Sequence, residues 1–401
     1  MLPQSLDETY ERMLCNIESR DEAQQMLSLL CYASRPLSVD EVTEALAVDI
    51  DGLECYDPKS RFTGGADDLL RICPGLIEIS LSSDKDNESD FDDQDDEEDE
   101  DNANSNTVGV QIVRIAHFSV QEYLLSERIR KSRAANFALS GPTEHGRISK
   151  ACLLYLAHDD FLEQTLSADL VKQYAFAKYA AEHWHRHLHY GNHQLASQLL
   201  KRISTLLTTR HILERWITLY DPERPWHTRV NYEPVTDHPS PIYYASFLGL
   251  EGVLADVLSV TAADVNAQGG YYGYALQAAS LGGHEKVVQI LLETGAEANA
   301  QGGVYGTALQ AASARGHEKV VQILLERGAE VNAQGGYYST ALQAASARGH
   351  EKVVQILLEK GAEVNTQGGV YGTALQAASA RGHKKVVQTL VDAGAEASKH
   401  Q

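Results

Sequence analysis

The chain has 401 residues, with 34 Lys+Arg against 56 Asp+Glu and a formal net charge of −22. That length accommodates two or three domains with cores of their own, and that charge opposes a surface built to grip phosphates. Five cysteines (Cys15, Cys31, Cys55, Cys73, Cys152), an odd number without CxxC spacing, read as reduced and buried thiols; with no basic and apolar leader at Met1 and no apolar run long enough for a bilayer, the expected location is cytoplasmic.

Three segments open with Ser-x-x-Glu ahead of an apolar helical pattern: Ser5 to Glu8, Ser38 to Glu41 and Ser119 to Glu122. A serine hydroxyl that accepts from the third backbone N–H, with the glutamate returning to the serine N–H, closes a capping box, so each marks a helix start. Leu6, Tyr10, Met13 and Ile17 share one face of the first helix, Ala23, Met26, Leu27 and Leu30 supply a second that Pro36 ends, and a third runs from Ser38 through Leu46 and Ala47. Two β-branched runs follow, Gly75 to Ser80 and Gly109 to Ser119. Between them, residues 84–101 hold thirteen acids and one lysine, over half the net charge of the chain, and the composition predicts a disordered insertion at a hairpin tip, about 82–107.

Three helices, a hairpin and a closing helix describe a winged helix. The segments LPQSLDETYERML, RPLSVDEVTEALAV and RIAHFSVQEYLLS resemble the winged-helix module associated with NACHT domains in fungal NLR-like (STAND) proteins and also described for inositol-deacylase-type sequences, over residues 1–130. The resemblance implies a relay between a nucleotide-binding domain and a sensor, with a NACHT-type NTPase as a partner in cis or in trans. No GxxxxGK[ST] phosphate loop occurs in this chain, so no nucleotide cofactor is expected of it.

Residues 131–235 read as a helical linker domain: Ile148 to His158 and Leu170 to Leu188 carry helical apolar spacing, and Asp221 to Pro241 is a Pro-containing linker. His183, His185, His187, His189 and His193 include pairs four apart, a zinc-ligand spacing. Without an HExxH glutamate, and with alternate histidines pointing to opposite helix faces, the expectation is an aromatic helix with Trp184 in the core and no metal.

From Asn266 a block of 33 residues recurs, with Asn299 to Val331 and Asn332 to Val364 differing at only three positions and a further copy starting at Asn365. Such a period predicts a solenoid of stacked units that bury their apolar faces against one another. Within a unit, Thr307 to Gly316 forms a short helix, Gly316-His317 a turn and Glu318 to Ala329 a second helix ending at Gly328. Gly-Gly pairs such as Gly302/Gly303 suit hairpin fingers at positive φ. A degenerate first unit lies in Ser240 to Leu258, its additional apolar residues fitting a docked end.

These units resemble the ankyrin repeat, and the resemblance implies five repeats over 236–398. The fold class expected is mainly α: a winged-helix-like α+β module, a helical middle region and a C-terminal ankyrin solenoid. The motif's histidine is glutamine at Gln277, Gln310, Gln343 and Gln376, and Thr-Ala-Leu-Gln, as from Thr307 to Gln310, makes a capping box of its own. By resemblance, the variable positions coincide with the concave groove or its rim. That groove is the expected site for a protein or peptide partner, through Tyr271, Tyr272, Val304, Tyr305, Tyr337, Tyr338, Val370 and Tyr371 on the fingers, a ladder of Arg315, Arg348 and Arg381, and Arg327 and Lys360. The leading function is a non-enzymatic interaction and sensor module in NLR-like signalling or self/non-self recognition, with neither nucleic acid nor membrane as partner. A DNA-binding winged-helix regulator is the alternative, opposed by the absence of Lys and Arg between Ser38 and Ile50.

Overall fold

The computed structural model describes residues 5–50, 56, 61–82, 109–191, 193–225, 232, 235, 238–260 and 264–396, with the backbone alone at 193–198 and 260. The acidic insertion expected at about 82–107 falls, from residue 83 onward, outside the described residues. The chain divides into two compact units: Met1–Leu199 with Arg215–Pro222 and His227–Glu233, and Leu200–Glu214 with Glu223–Trp226 and Pro234–Gln401.

In the first unit, α1 (Leu6–Cys15) starts where Ser5 accepts the N–H of Glu8 at 3.2 Å. α2 (Arg20–Tyr32) leads to a two-residue strand β1 (Leu37–Ser38) and to α3 (Val39–Leu46). The box at α3 closes fully: Glu41 N–H donates to Ser38 Oγ at 3.1 Å and Ser38 N–H to Glu41 Oε2 at 2.8 Å. α4 (Ala66–Ile72) precedes β2 (Ile77–Leu81) and β3 (Gln111–Ile115), which pair antiparallel from Ile77↔Ile115 to Leu81↔Gln111. β1 adds to the other edge of β3, giving the order β1-β3-β2.

The third expected box does not form. α5 (Phe118–Leu125) is capped by His117, whose Nδ1 accepts the Ser119 N–H at 3.1 Å. The imidazole reaches the first turn before the serine can, and the Ser119 hydroxyl instead bonds His117 Nδ1 and the Tyr10 hydroxyl, both at 2.6 Å. That second bond ties α5 to α1.

Beyond α6 (Glu127–Arg130) and a 3-10 turn at Ala135–Phe137, the helical region runs through α7 (Gly141–Leu156), α8 (Asp159–Leu162), α9 (Ala168–Gln173), α10 (Phe176–Tyr190), α11 (His193–Thr208) and α12 (Arg210–Leu219). Its centre is α7 against α10. Ser149 Oγ donates to the Trp184 carbonyl at 2.9 Å, Trp216 Nε1 donates to the Ala181 carbonyl at 2.9 Å, and the two indoles meet edge to face at 5.7 Å. Trp184 is fully buried, as its place in the apolar stripe predicts.

The second unit stacks five helix pairs: α13 (Pro241–Phe247) with α14 (Glu251–Val260), α15 (Ala275–Leu281) with α16 (Glu285–Glu293), α17 (Ala308–Ala314) with α18 (Glu318–Glu326), α19 (Ala341–Arg348) with α20 (Glu351–Glu359), and α21 (Ala374–Ala380) with α22 (Lys384–Asp392). The first helix of each pair packs on the first helix of the next, so the two helices form an inner and an outer layer. Alanines such as Ala311 and Ala312, with no exposed surface, let the layers approach. At the first pair Gly252 lies against Leu200 so closely that a Cβ would stand 2.8 Å from a Leu200 methyl. Glu223 of the expected linker is part of this unit: it is buried and accepts from the Tyr243 hydroxyl and from the Tyr271 N–H.

Candidate protein-interaction face

Repeats are joined by a lattice of side-chain bonds that recurs every 33 residues. Gln310 Oε1 accepts from the Thr307 N–H at 2.6 Å, which closes the expected cap, while Gln310 Nε2 donates to Ala333, Gly335 and Ser339 carbonyls of the next repeat's finger. Gln343 repeats the outward bonds to Thr366, Gly368 and Gly372, and Gln277 those to Ala300 and Gly306. The capping half was readable in the motif; the bracket to the neighbour was not, because it depends on the stacking offset. His317 Nε2 donates to the Leu281 carbonyl at 2.8 Å, and His284, His350 and His383 do the same one repeat away from themselves. Asn299 clasps the next loop through Gly328 O and Glu330 N.

These bonds fix the fingers, which project as turns bridged at Gly302↔Gly306, Gly335↔Ser339 and Gly368↔Gly372. Neighbouring tips are bonded to one another, Tyr337 N–H to Val304 O at 2.8 Å and Val370 N–H to Tyr337 O at 3.3 Å. The first residue of each tip faces outward: Tyr271, Tyr337 and Val370 are exposed and Val304 is half-buried. The second tyrosine turns inward. Tyr272, Tyr305, Tyr338 and Tyr371 stack as one column with ring centroids 6.1, 6.3 and 6.3 Å apart, continued at the other end by Phe247 at 5.7 Å from Tyr272. Of the eight finger residues expected to be contact surface, Tyr272 and Tyr338 are therefore buried in the framework, Tyr338 packed beside Ala314, Ala344 and Ala347 of the inner helices. Aromatic burial outweighs exposure of one hydroxyl, and adjacent repeats supply a ring on either side.

The arginine ladder borders this column. Arg348 Nε donates to the Tyr338 hydroxyl at 3.0 Å, and Arg381 Nη2 donates to the Tyr371 hydroxyl at 2.8 Å with its guanidinium 5.7 Å from the ring centroid. Burial raises the Tyr272 phenol above its ordinary range and the nearby Arg315 opposes that rise; at Tyr338, Arg348 opposes the same effect of burial. Arg327 and Lys360 lie elsewhere. They are the C-caps of the outer helices α18 and α20, and Arg327 pairs with Glu293 of the preceding repeat at 3.3 Å, so the structure does not bring them to the tyrosine column.

Residues 242–335 and 334–401 match the family model for ankyrin repeats in three copies, and residues 10–86 match that for the winged helix domain of GPI inositol-deacylase. The C-terminal repeats are ankyrin repeats. The azaphilone pigments biosynthesis cluster protein L of Monascus ruber is 42% identical over 303 residues, which cover 72% of this chain and 59% of that protein. This chain thus spans about three fifths of the length of that relative. Ankyrin repeats form an interaction domain without catalytic machinery, and the Tyr and Arg column lies where their inner helices and fingers meet.

In the winged helix domain, α3 offers no basic face to a DNA groove. α3 carries Asp40, Glu41 and Glu44, and all of its residues except Asp40 are buried. Glu44 is fixed there by the hydroxyls of Tyr56 and Tyr155 and by Arg61, whose Nε stands 2.7 Å from its carboxylate. Among the described residues no group of three His, Cys, Asp or Glu is arranged to hold a metal. Of the α10 histidines, His187 bonds His145 through Nδ1 and the Tyr179 hydroxyl through Nε2, both at 2.8 Å. No helix among the described residues is long and apolar enough to cross a membrane.

Proposed function

We propose that the chain is a non-enzymatic interaction protein whose ankyrin stack captures a protein or peptide partner on the face formed by fingers and inner helices. One observation carries this reading: the Gln, His and Asn bonds recur along the stack, while the fingertip position (Tyr271, Val304, Tyr337, Val370) and the inner-helix ends (Leu281-Gly282 against Ala314-Arg315, Ala347-Arg348 and Ala380-Arg381) differ between repeats, as do the outer-helix ends Thr294, Arg327, Lys360 and Ala393 away from the column. A rigid framework bearing side chains that vary along one surface is the physical layout of a recognition face. The winged helix domain would then serve as a relay, as in the NACHT-associated proteins it resembles, with a NACHT-type NTPase as its partner and a sensing or signalling role in the cytoplasm. The relative's association with a pigment biosynthesis cluster is compatible with a partner among biosynthetic proteins, bound rather than acted upon.

A photo-crosslinking residue placed at Tyr337 in cells tests this reading against one placed at the exposed Gln322 of outer helix α18. A discrete adduct from Tyr337 and none from Gln322 is expected. Equal labelling from both positions, or none from either, would refute it.

A further inference from the structure

Charge is segregated within the ankyrin stack. In a chain of net charge −22, the finger and inner-helix segments 266–283, 299–316, 332–349 and 365–382 contain no Asp or Glu, and their only Lys or Arg residues are Arg315, Arg348 and Arg381. The repeat acids are confined to the outer helices and the loops after them. There they join neighbouring repeats through Lys286–Glu251, Lys319–Glu285, Lys352–Glu318 and Lys385–Glu351, at 3.1 to 3.4 Å. Glu223, a carboxylate that does meet the fingers, is buried and accepts from the Tyr243 hydroxyl and Tyr271 amide. One layer of the solenoid is thus positive in an otherwise strongly acidic molecule.

The positive groups are also spaced. Tyr338 and Tyr371 hold Arg348 and Arg381 by their hydroxyls, and their rings lie 6.3 Å apart and within 13° of parallel. Side chains recur at about 6.7 Å on one face of an extended strand (every second residue) and at about 6 Å along a helix (every fourth). A peptide running along the column therefore meets one phenol per recurrence of its own side chains, with Arg348 and Arg381 bonded to two of those phenols and Arg315 near Tyr272. Exposed Tyr337 and Val370 border the same line and offer apolar contact.

We infer that the partner of this face is an acidic protein segment, one that presents carboxylates at a recurrence of about 6 Å to Arg315, Arg348 and Arg381 and apolar groups to Tyr337 and Val370. This rests on the interaction reading above and adds the chemistry of the partner. Charge complementarity selects it: an acidic segment is repelled by most of this molecule's surface and attracted to this one strip.

The test is a selection of random peptides displayed on phage against the full chain, followed by affinity measurements on the recovered peptides with wild type and with the triple variant R315A/R348A/R381A. The expected result is an Asp- or Glu-rich consensus with apolar positions. The triple variant should bind its peptides at least about tenfold more weakly while its circular dichroism and melting curve stay unchanged, and affinity should fall as salt is raised. Recovery of neutral or basic peptides that bind the triple variant equally overturns the inference and leaves the interaction reading intact. Recovery of none overturns it as well, and the Tyr337 crosslink then decides the broader reading. An RNA oligonucleotide that competes as well as the acidic peptides would show a general polyanion site and overturn the claim of a protein segment.

Discussion

His183 is buried with neither ring nitrogen hydrogen-bonded, its Nε2 3.7 Å from a Glu182 oxygen and its ring 4.5 Å from that of Tyr179. Burial, reinforced by Arg186 and Arg35, pushes its pKa down to about 2, and burial does the same to His187, to about 3. In the unfolded chain both titrate near 6.5. The unfolded state therefore binds protons that the folded state refuses once pH drops below about 6.5, and stability is lost as pH falls from there toward the folded values. The variant His183→Phe keeps the ring and removes the basic nitrogens. Urea unfolding of the two proteins should show a variant that gains about 2 kcal/mol on wild type between pH 7.5 and pH 5. Parallel curves would show that His183 is protonated in the folded protein. The sequence exposed the histidines as a cluster, but the pairing of His187 with His145, 42 positions earlier, was outside the reach of spacing along one helix.

Legibility at the scale of elements followed the same division between local and distant chemistry. The boxes at Ser38 and Thr307 were readable because donor and acceptor are three residues apart. At Ser119 a local rival, His117, took the cap; α4, at seven residues, and β1, at two, are too short to display a period. The glutamines combine both kinds of bond, which gives a comparison within one molecule. Gln343 bonds to Thr340 and brackets the following finger, and it is buried; Gln376 makes the cap with Thr373, is exposed, and is followed by no further repeat in the described chain. Gln343→Ala should cost about 2–3 kcal/mol, for a cap and buried finger carbonyls left without their donor, and Gln376→Ala about 1 kcal/mol or less, for a cap at an exposed side chain. Unfolding midpoints of the two variants measure the difference. Equal losses would mean that the inter-repeat bracket contributes nothing to stability.

For the molecule as a whole, the 33-residue period was sufficient to recognise the stack because each interface is a repetition of the last. The aromatic column was not legible in the same way: both tyrosines of Tyr337-Tyr338 look alike in sequence, and only the stacking of neighbours sends one outward and one into the core. The same nearest-neighbour logic makes the ends unequal. The first pair is covered by Leu200 at Gly252 and tied by Glu223 to Tyr243, whereas Ala380 of the last pair is exposed where its equivalent Ala314 is buried, and Val391 is 48% exposed. In a linear array, local opening needs the rupture of each interface that a repeat makes, so a pair with one neighbour opens at lower free energy than a pair with two. Amide hydrogen exchange of the intact protein at neutral pH should therefore be slowest in α17 and α19, and faster in α21 and α22 by at least about tenfold. The first pair, covered on its outer side, should exchange more slowly than the last. Uniform protection from α13 to α22 would show that the unit opens as a single block and that the covered end has no energetic advantage over the open one.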